Sequence, residues 1–537
     1  MRRWPSWRLG TLTSQARNKR GNRKCEFLLR DAEFLHALAD IVSPTLNTRV
    51  PSPERAVYDV SGLDLEDEGD PIVALDRAWK LLLLNQFHDI IPGSSIHWVY
   101  EDSDRDYATI ASLGTSVRDA ALEEVNELID TSAYSEPVIV FNTLGHRRQE
   151  VVDLPGATEP ALVDVPPLGY TIIEKHQKAP ANEVGVKVAK EGADFVLDNG
   201  IVRVRVNAKG QLTSLFDHRT GREAVPAGEV SNVLKLHIDR PNLWEAWDVD
   251  IFYRETACVL DDVRSLKIVE SHPLRAAIEV ERAFGKSTLR QRIVVCAGSP
   301  RVDFPMQVEW HETRRFMRAY FPMAVRSQRA TYEIQFGHLE RPTHSNTSWD
   351  MARFEVCAQK WADLSESGFG VALLNDCKYG HDAVGHVLGL SLLRSPIAPD
   401  PVADQGHQEF TYSLLPHAGD FRAAGVIEHA YALNVPLIRE PVGVHPGMLP
   451  PAHAFVHVEG AGIVVETIKP AQDGNGTIVR FYESRGGRGS GKLLFGLPYR
   501  TAVWVDLMEK EISAARHEGD AVHFTFSPFE ILTLRVA

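Results

Sequence analysis

A histidine followed directly by an aspartate stands in the stretch Asn85-Gln86-Phe87-His88-Asp89-Ile90-Ile91-Pro92-Gly93-Ser94-Ser95, at the end of an apolar segment and just before a Pro-Gly break. A neutral imidazole can ligate a metal ion such as zinc, and a carboxylate can accept hydrogen bonds from sugar hydroxyls. The positioning element is a helix predicted over Pro71 to His88. Asp70 is a good N-cap, Pro71 suits the first helical position, and Ala74, Trp79, Leu82, Leu83 and Phe87 supply an apolar face. His88 and Asp89 then fall at a helix C-terminus, where Pro92-Gly93 turns the chain and a site can open. The plainer reading is that His88 stabilises the helix end electrostatically while Asp89 starts the turn.

A second constellation is Asn375-Asp376-Cys377-Lys378-Tyr379-Gly380, a loop after the strand Gly370-Val371-Ala372-Leu373-Leu374. Asn375 and Asp376 can bind hydroxyls and Tyr379 can pack on a sugar face, or the loop is a turn stabilised by its Asn-Asp pair. Trp244, Trp247, Trp349 and Trp361 are possible aromatic platforms, with the core the expected place for most of them. The acid pairs Asp248/Asp250 and Asp400/Asp404 come from Trp-, Pro- and Gly-rich segments, and turn or capping roles are expected of them. His453 and His457 have helical metal-pair spacing, but Ala454-Phe455-Val456 reads as strand, which separates them by roughly 13 Å. The run Ser484 to Gly491 is expected to be a hairpin loop. It lacks the Gly-Lys-Ser/Thr ending and following helix of a phosphate cradle.

The elements around these residues divide sharply. Residues 1–134 read as three helices, at Asn22 to Val42, at Pro71 to His88 and near His97 to Asp130, where Tyr107, Ile110, Val117, Ala121, Val125 and Leu128 recur every three or four residues. From Pro137 onward the two-residue alternation of strands takes over, punctuated by turns at Asp198-Asn199-Gly200 and Lys209-Gly210. The expected class is α+β and multidomain: a three-helix bundle (1–134), a first β segment that is part of a small sandwich (135–180), a large antiparallel β-sandwich (181–430) and a C-terminal β-sandwich region (431–537).

With 537 residues, 44% hydrophobic and 24% charged, the chain can bury several cores. A net charge of −14 gives no general attraction for nucleic acid or anionic membranes, and no apolar run approaches the roughly 20 residues of a membrane span. Five scattered cysteines with no Cys-x-x-Cys suit a reducing cytoplasm. Eight basic residues precede Glu26 with no acid among them, a composition like a transit peptide or nucleic-acid arm. A structural role is preferred, because most lie within a segment that resembles a known family. Asp64 to Asp70 reads as a solvated acidic loop.

That resemblance is collinear over most of the chain. Asn85 to Ser95 is similar to a signature of glycoside hydrolase family 38, the α-mannosidases, in its cytosolic, vacuolar and bacterial branch. Further matches follow in order: Gly10-Thr11 with Thr13-Ser14-Gln15-Ala16, Arg20-Gly21-Asn22-Arg23-Lys24, Leu28 to Glu33, Val140-Phe141-Asn142 and Pro167 to Tyr170. Later come Asp239-Arg240-Pro241 with Trp244 to Asp248, the Asn375 loop, Ser391 to Arg394, and Pro399-Asp400-Pro401 with Asp404.

The resemblance implies hydrolysis of terminal α-D-mannosides with retention, zinc (or cobalt) as cofactor, a galactose-mutarotase-like large sandwich, His88 as a metal ligand, Asp89 as a mannose contact, and a sandwich loop carrying Asn375, Asp376 and Tyr379 to the sugar. This chain departs from many members in having Cys377-Lys378 where they carry arginine. The family's His-x-Asp zinc pair, nucleophile and general acid lie upstream of the Gly-Thr segment. The expectation is therefore a C-terminal portion that is inactive alone. One imidazole cannot hold zinc, which takes about four ligands, and retaining hydrolysis needs two carboxyl groups about 5 Å apart. The expected partners are a mannose-containing oligosaccharide and either a separate N-terminal catalytic domain or further copies of the chain. The alternative is a non-catalytic carbohydrate-binding or scaffold remnant.

Overall fold

The computed structural model describes residues 9–42, 70–177 and 185–537. Arg2, Arg3, Arg8 and the acidic run from Asp64 to Gly69 lie outside the described residues. The first helix, α1 (Ala16–Val42), begins well before Asn22, where the apolar pattern starts. Its start is set from afar: the Asp404 carboxylate accepts the N–H groups of Gln15 at 2.9 Å and Ala16 at 2.6 Å, two of the donors that a helix N-terminus leaves free.

The second helix, α2 (Pro71–Asn85), is capped by Asp70, whose side chain accepts the Ile72 N–H at 2.8 Å. It stops at Asn85 rather than His88. The Gln86 N–H closes onto the carbonyls of Leu82 and Leu83, while the Asn85 amide reaches Leu81 O at 3.0 Å and Asp106 at 2.8 Å. Its buried stripe is Ala74, Leu75, Ala78 and Leu82. Leu83 and Phe87, expected on that face, are 60% and 55% exposed. The third helix, α3 (His97–Asn126), buries Tyr107, Ile110, Val117, Ala121 and Val125.

These helices form one bundle with α1 at its centre. Cys25, Leu29 and Ala32 pack against Leu75, Ala78, Leu82, Ile110 and Val117. Gly21 allows the close crossing with α3, because a Cβ there would lie 2.7 Å from the Tyr107 ring. The far end of α1 presents Phe34, Leu35 and Leu38 to a second core shared with Ile139, Phe481 and Phe524 of the β-structure. Four of the basic residues of α1 are structural, while Arg17 is exposed: Lys19 and Arg23 are buried, Arg20 pairs with Glu409, and Lys24 pairs with Asp376.

Every pairing between strands is antiparallel. A nine-stranded sheet, bounded by Val263–His272 and Gly337–Pro342, faces a six-stranded sheet bounded by Cys258–Val259 and Val356–Cys357. Their inner faces share Phe304, Trp310, Leu373 and Tyr412 with Met317, Phe321 and Leu390. A five-stranded sheet over residues 187–223 adds to the same core, and in Val202–Val206 the valines are buried while Arg203 is exposed.

Strands Pro137–Asn142 and Gly169–Glu174 form one sheet with Ile438–Pro441 and Ala452–Ala454. That sheet joins residues 135–180 to the region after 430, and Gly169 lets it close, since a Cβ there would lie 2.0 Å from the His453 carbonyl. The C-terminal region is a four-stranded and a five-stranded sheet around Phe481, Leu493, Val522 and Leu534. The glycine-rich run 484–491 is not a hairpin: it crosses from Thr477–Glu483 in the five-stranded sheet to Gly489–Phe495 in the four-stranded one. No helix among the described residues is long and apolar enough to cross a membrane.

Candidate functional site

His88 and Asp89 lie in the turn that follows α2, not within the helix. The His88 imidazole is 70% exposed, with its ring against Phe87 and Nε2 3.4 Å from the Asp89 carboxylate, which is itself 42% exposed. The backbone beneath them is held firmly. The Asp89 carbonyl accepts Ser95 Oγ at 2.8 Å and Tyr100 Oη at 3.3 Å, and its Oδ1 accepts Ser94 Oγ at 3.0 Å. Gln86 reaches α1, donating to Asn22 and Glu26 at 2.9 Å each. The buried Lys19 ammonium donates to the carbonyls of Ser14, Ile91 and Pro92, and burial pulls its pKa down to about 7. Gly93 has φ +88°, and a Cβ there would lie 2.4 Å from the Ser14 carbonyl, so glycine is required both by conformation and by space. An exposed imidazole and a half-exposed carboxylate therefore project from a backbone that cannot shift freely.

The segments Gly10 to Ala16, Asp239 to Asp248 and Arg394 to Asp404 converge directly beneath this turn. Gly10 N–H donates to Trp247 O at 2.9 Å, and Ser14 Oγ donates to Ala246 O at 3.0 Å. Arg394, fully buried, pairs with Asp239 at 2.6 Å and donates to Ser14 Oγ and Ala246 O at 3.1 Å and to Asp248 O. Asp400 accepts Gln15 Nε2 at 2.7 Å and sits 3.2 Å from His97. Burial pushes the Asp404 carboxyl up, opposed by the two N–H groups that it caps. The acid pairs thus serve as caps and anchors: Asp250 likewise accepts the Asn242 N–H at 3.0 Å.

The Asn375 loop meets α1 from the other side. Asn375 is fully buried with its amide spent on the loop itself: Oδ1 accepts the N–H groups of Cys377 at 3.1 Å and Lys378 at 2.7 Å, and Nδ2 donates to Gln359 O at 3.1 Å. Its side chain has no face left for a sugar, so its part is to shape the loop. Asp376 is also committed, to Lys24 at 3.1 Å and the Thr411 N–H at 3.0 Å, although it borders a cleft of about 270 Å³ with Arg20, Arg290, Arg292 and Phe410. Tyr379 lies under the Arg23 guanidinium, 4.8 Å from its ring centre, and burial pushes its hydroxyl up to about 12. Lys378 packs its ammonium 3.9 Å over the Phe410 ring. No hydrogen bond or ion pair among the described residues joins this loop to His88 or Asp89; α1 connects the two.

Of the four tryptophans, only Trp361 is in the core. Trp244 and Trp349 are 65% and 63% exposed, and Trp247 is half-buried with Trp244 edge-on at 5.9 Å. The departure follows from local backbone: Trp244 has φ +61° in an irregular segment whose role is to offer carbonyls to Arg394 and Gly10. His453 and His457 sit on successive short strands, Ala452–Ala454 and Val456–Glu459. No three His, Cys, Asp or Glu side chains among the described residues gather where they could hold a metal ion. His88 with Asp89 does not by itself fit a zinc site of about four ligands. Sequence reasoning missed the anchoring roles of Lys19 and Arg394. The available signal was that Arg394 and Asp404 lie in matched segments far from the turn that they support.

Comparison with known proteins matches the same regions. A model of the alpha mannosidase middle domain matches residues 6–125, one of the glycosyl hydrolases family 38 C-terminal domain matches 197–402, and one of the family's C-terminal beta sandwich domain matches 462–534. Alpha-mannosidase 2C1 of Homo sapiens is 41% identical over 98% of this chain and 49% of its own length. Alpha-mannosidase G of Dictyostelium discoideum is 32% identical over 98% of this chain and 51% of its own. The chain spans about half the length of these curated relatives. The crystal structure of an alpha-mannosidase from Enterococcus faecalis V583 superposes with a TM-score of 0.79 at 17% identity, covering 99% of this chain and 68% of that one, a likeness of fold.

Proposed function

Because this chain belongs to glycoside hydrolase family 38, through that family's middle and C-terminal domains, we propose that it is the part of an α-mannosidase that presents His88 and Asp89 to the sugar site. The whole protein hydrolyses terminal α-D-mannosides of oligosaccharides with retention, in the cytoplasm. The observation that carries this reading is the pair itself: exposed side chains on a turn that Lys19, Gln86 and Gly93 hold rigid.

In this reading His88 offers one imidazole to a divalent metal, zinc or cobalt, whose other ligands come from outside the described residues. Asp89 keeps lone pairs free to accept mannose hydroxyls, each charge-assisted bond worth about 1.5–3 kcal/mol. The Asn375 loop lies on the other side of α1 from this pair; in this reading it offers Asp376 and Tyr379 as further sugar contacts, with Asn375 shaping the loop. The two carboxyl groups of retaining hydrolysis are contributed by other residues of the whole protein. The test is complementation: the purified chain is mixed with the separately produced N-terminal half of a similar α-mannosidase and assayed on a chromogenic α-mannoside. Activity from the mixture that His88→Ala abolishes supports the proposal. A mixture as inactive as its parts, despite demonstrated association, supports the alternative of a non-catalytic carbohydrate-binding scaffold.

A further inference from the structure

A second cleft, of about 120 Å³, opens beside the six-stranded sheet, and neither the 85–95 turn nor the Asn375 loop lines it. Three guanidinium groups border it: Arg254 from the turn Ile251–Thr256, Arg341 from the strand Gly337–Pro342, and Arg353 just after the short helix Ser348–Ala352. His344 stands among them. The two carboxylates in the lining are already engaged. Asp350 accepts Arg353 at 2.7 Å and caps the short helix through Thr347, while Asp382 accepts Arg254 at 2.8 Å and also Arg318.

Arg341 differs from its neighbours. Among the described residues it makes no ion pair, and with its Nε shut away from solvent the terminal nitrogens of its guanidinium are the ones a ligand in the cleft can reach. A guanidinium without a carboxylate partner at the wall of a cleft is suited to an anion, because its hydrogen bonds to a charged acceptor are the strong ones. Tyr332, Phe354, Met351 and Ile251 also line the cleft and give it apolar surface beside the cations.

We propose that this cleft binds a phosphate group. Its cations come from three separate elements and together offer many N–H donors, which suits a tetrahedral oxyanion with several acceptor oxygens. The volume is well below the roughly 300 Å³ at which pockets for larger organic ligands begin, so the cleft takes the anionic group and leaves the rest of the molecule outside. Arg341 is the principal donor, and Arg353, exposed on its other side, completes the binding.

Isothermal titration calorimetry of the purified chain with inorganic phosphate, at ionic strength held constant with sodium chloride, tests this directly. Mannose 1-phosphate and neutral mannose form parallel arms. The expected result is saturable binding of phosphate that falls at least tenfold in Arg341→Gln and severalfold in Arg353→Gln. The second variant guards against misfolding of the first, since Arg353 is a surface residue. Tighter binding of mannose 1-phosphate than of inorganic phosphate identifies a sugar phosphate as the ligand, and equal binding identifies the phosphate group itself. Absence of saturable binding by the parent chain, or binding that both variants retain in full, overturns the proposal.

Discussion

Replacing Arg394 by methionine removes the cation on which three segments close. Its guanidinium is fully buried against Asp239 at 2.6 Å, and the carboxylate left behind is 2% exposed. Stranding one member of such a pair costs about 3–5 kcal/mol, chiefly the penalty of an uncompensated buried charge. The carbonyls of Ala246 and Asp248 lose a donor as well. Burial already raises the pKa of Asp239, so part of the penalty is escaped by protonation, and about 3 kcal/mol is the working figure. The effect is local, because Ser14, Ala246 and Asp248 are joined through this residue, beside the direct Gly10 to Trp247 bond. Amide hydrogen exchange across residues 9–16 reads it: about 3 kcal/mol is roughly a hundredfold faster opening. The double variant Arg394→Met/Asp239→Leu leaves no stranded charge and should recover most of the protection. Exchange in the single variant within threefold of the parent, or no recovery in the double variant, refutes the reasoning.

Three further outcomes follow from particular contacts. Gly93→Ala places a Cβ 2.4 Å from the Ser14 carbonyl at φ +88°. Limited proteolysis should therefore cut the 86–95 turn at least tenfold faster while the helices stay protected; unchanged cleavage contradicts the anchoring. For pH, burial pulls the His381 imidazole down to about 4, against an ordinary 6.5. Between those values the unfolded chain binds the extra proton, so stability is lost as pH falls from 6.5 towards 4, by up to about 3 kcal/mol. The advantage in melting temperature of the parent over His381→Gln should shrink across that window, and a pH-independent difference removes the linkage. Glu355, pushed up to about 7 by burial despite Arg318, has the opposite sign: its contribution grows as pH falls from 7 to 4.5, and Glu355→Gln should flatten that rise.

How much was legible in the sequence depended on distance along the chain. The helices of the bundle and the alternation of Val202–Val206 are local patterns, and they appear where periodicity puts them. The start of α1 does not, because its cap is Asp404, contributed from the other end of the bundle-sandwich contact. The end of α2 was overrun for a similar reason. Leu83 and Phe87 continue the apolar rhythm, but the Asn85 and Gln86 side chains are drawn to Asp106 and α1. The glycine-rich run after Glu483 looked like a hairpin because loop composition does not reveal which sheet the next strand joins. At the candidate site, residue chemistry singled out His88 and Asp89, while burial decided Asn375: an amide can bind a sugar only if the fold leaves it unsatisfied, and this one is spent inside its own turn.

The proposed role of His88 and Asp89 is to supply part of a metal and sugar site that the described residues do not complete. The most direct measurement is zinc content per molecule together with chromogenic α-mannoside hydrolysis by the purified chain, with and without added zinc. The expected result is no stoichiometric zinc and no metal-dependent turnover. Bound zinc with turnover that disappears in His88→Ala would mean that these residues hold a complete site, contrary to the proposal.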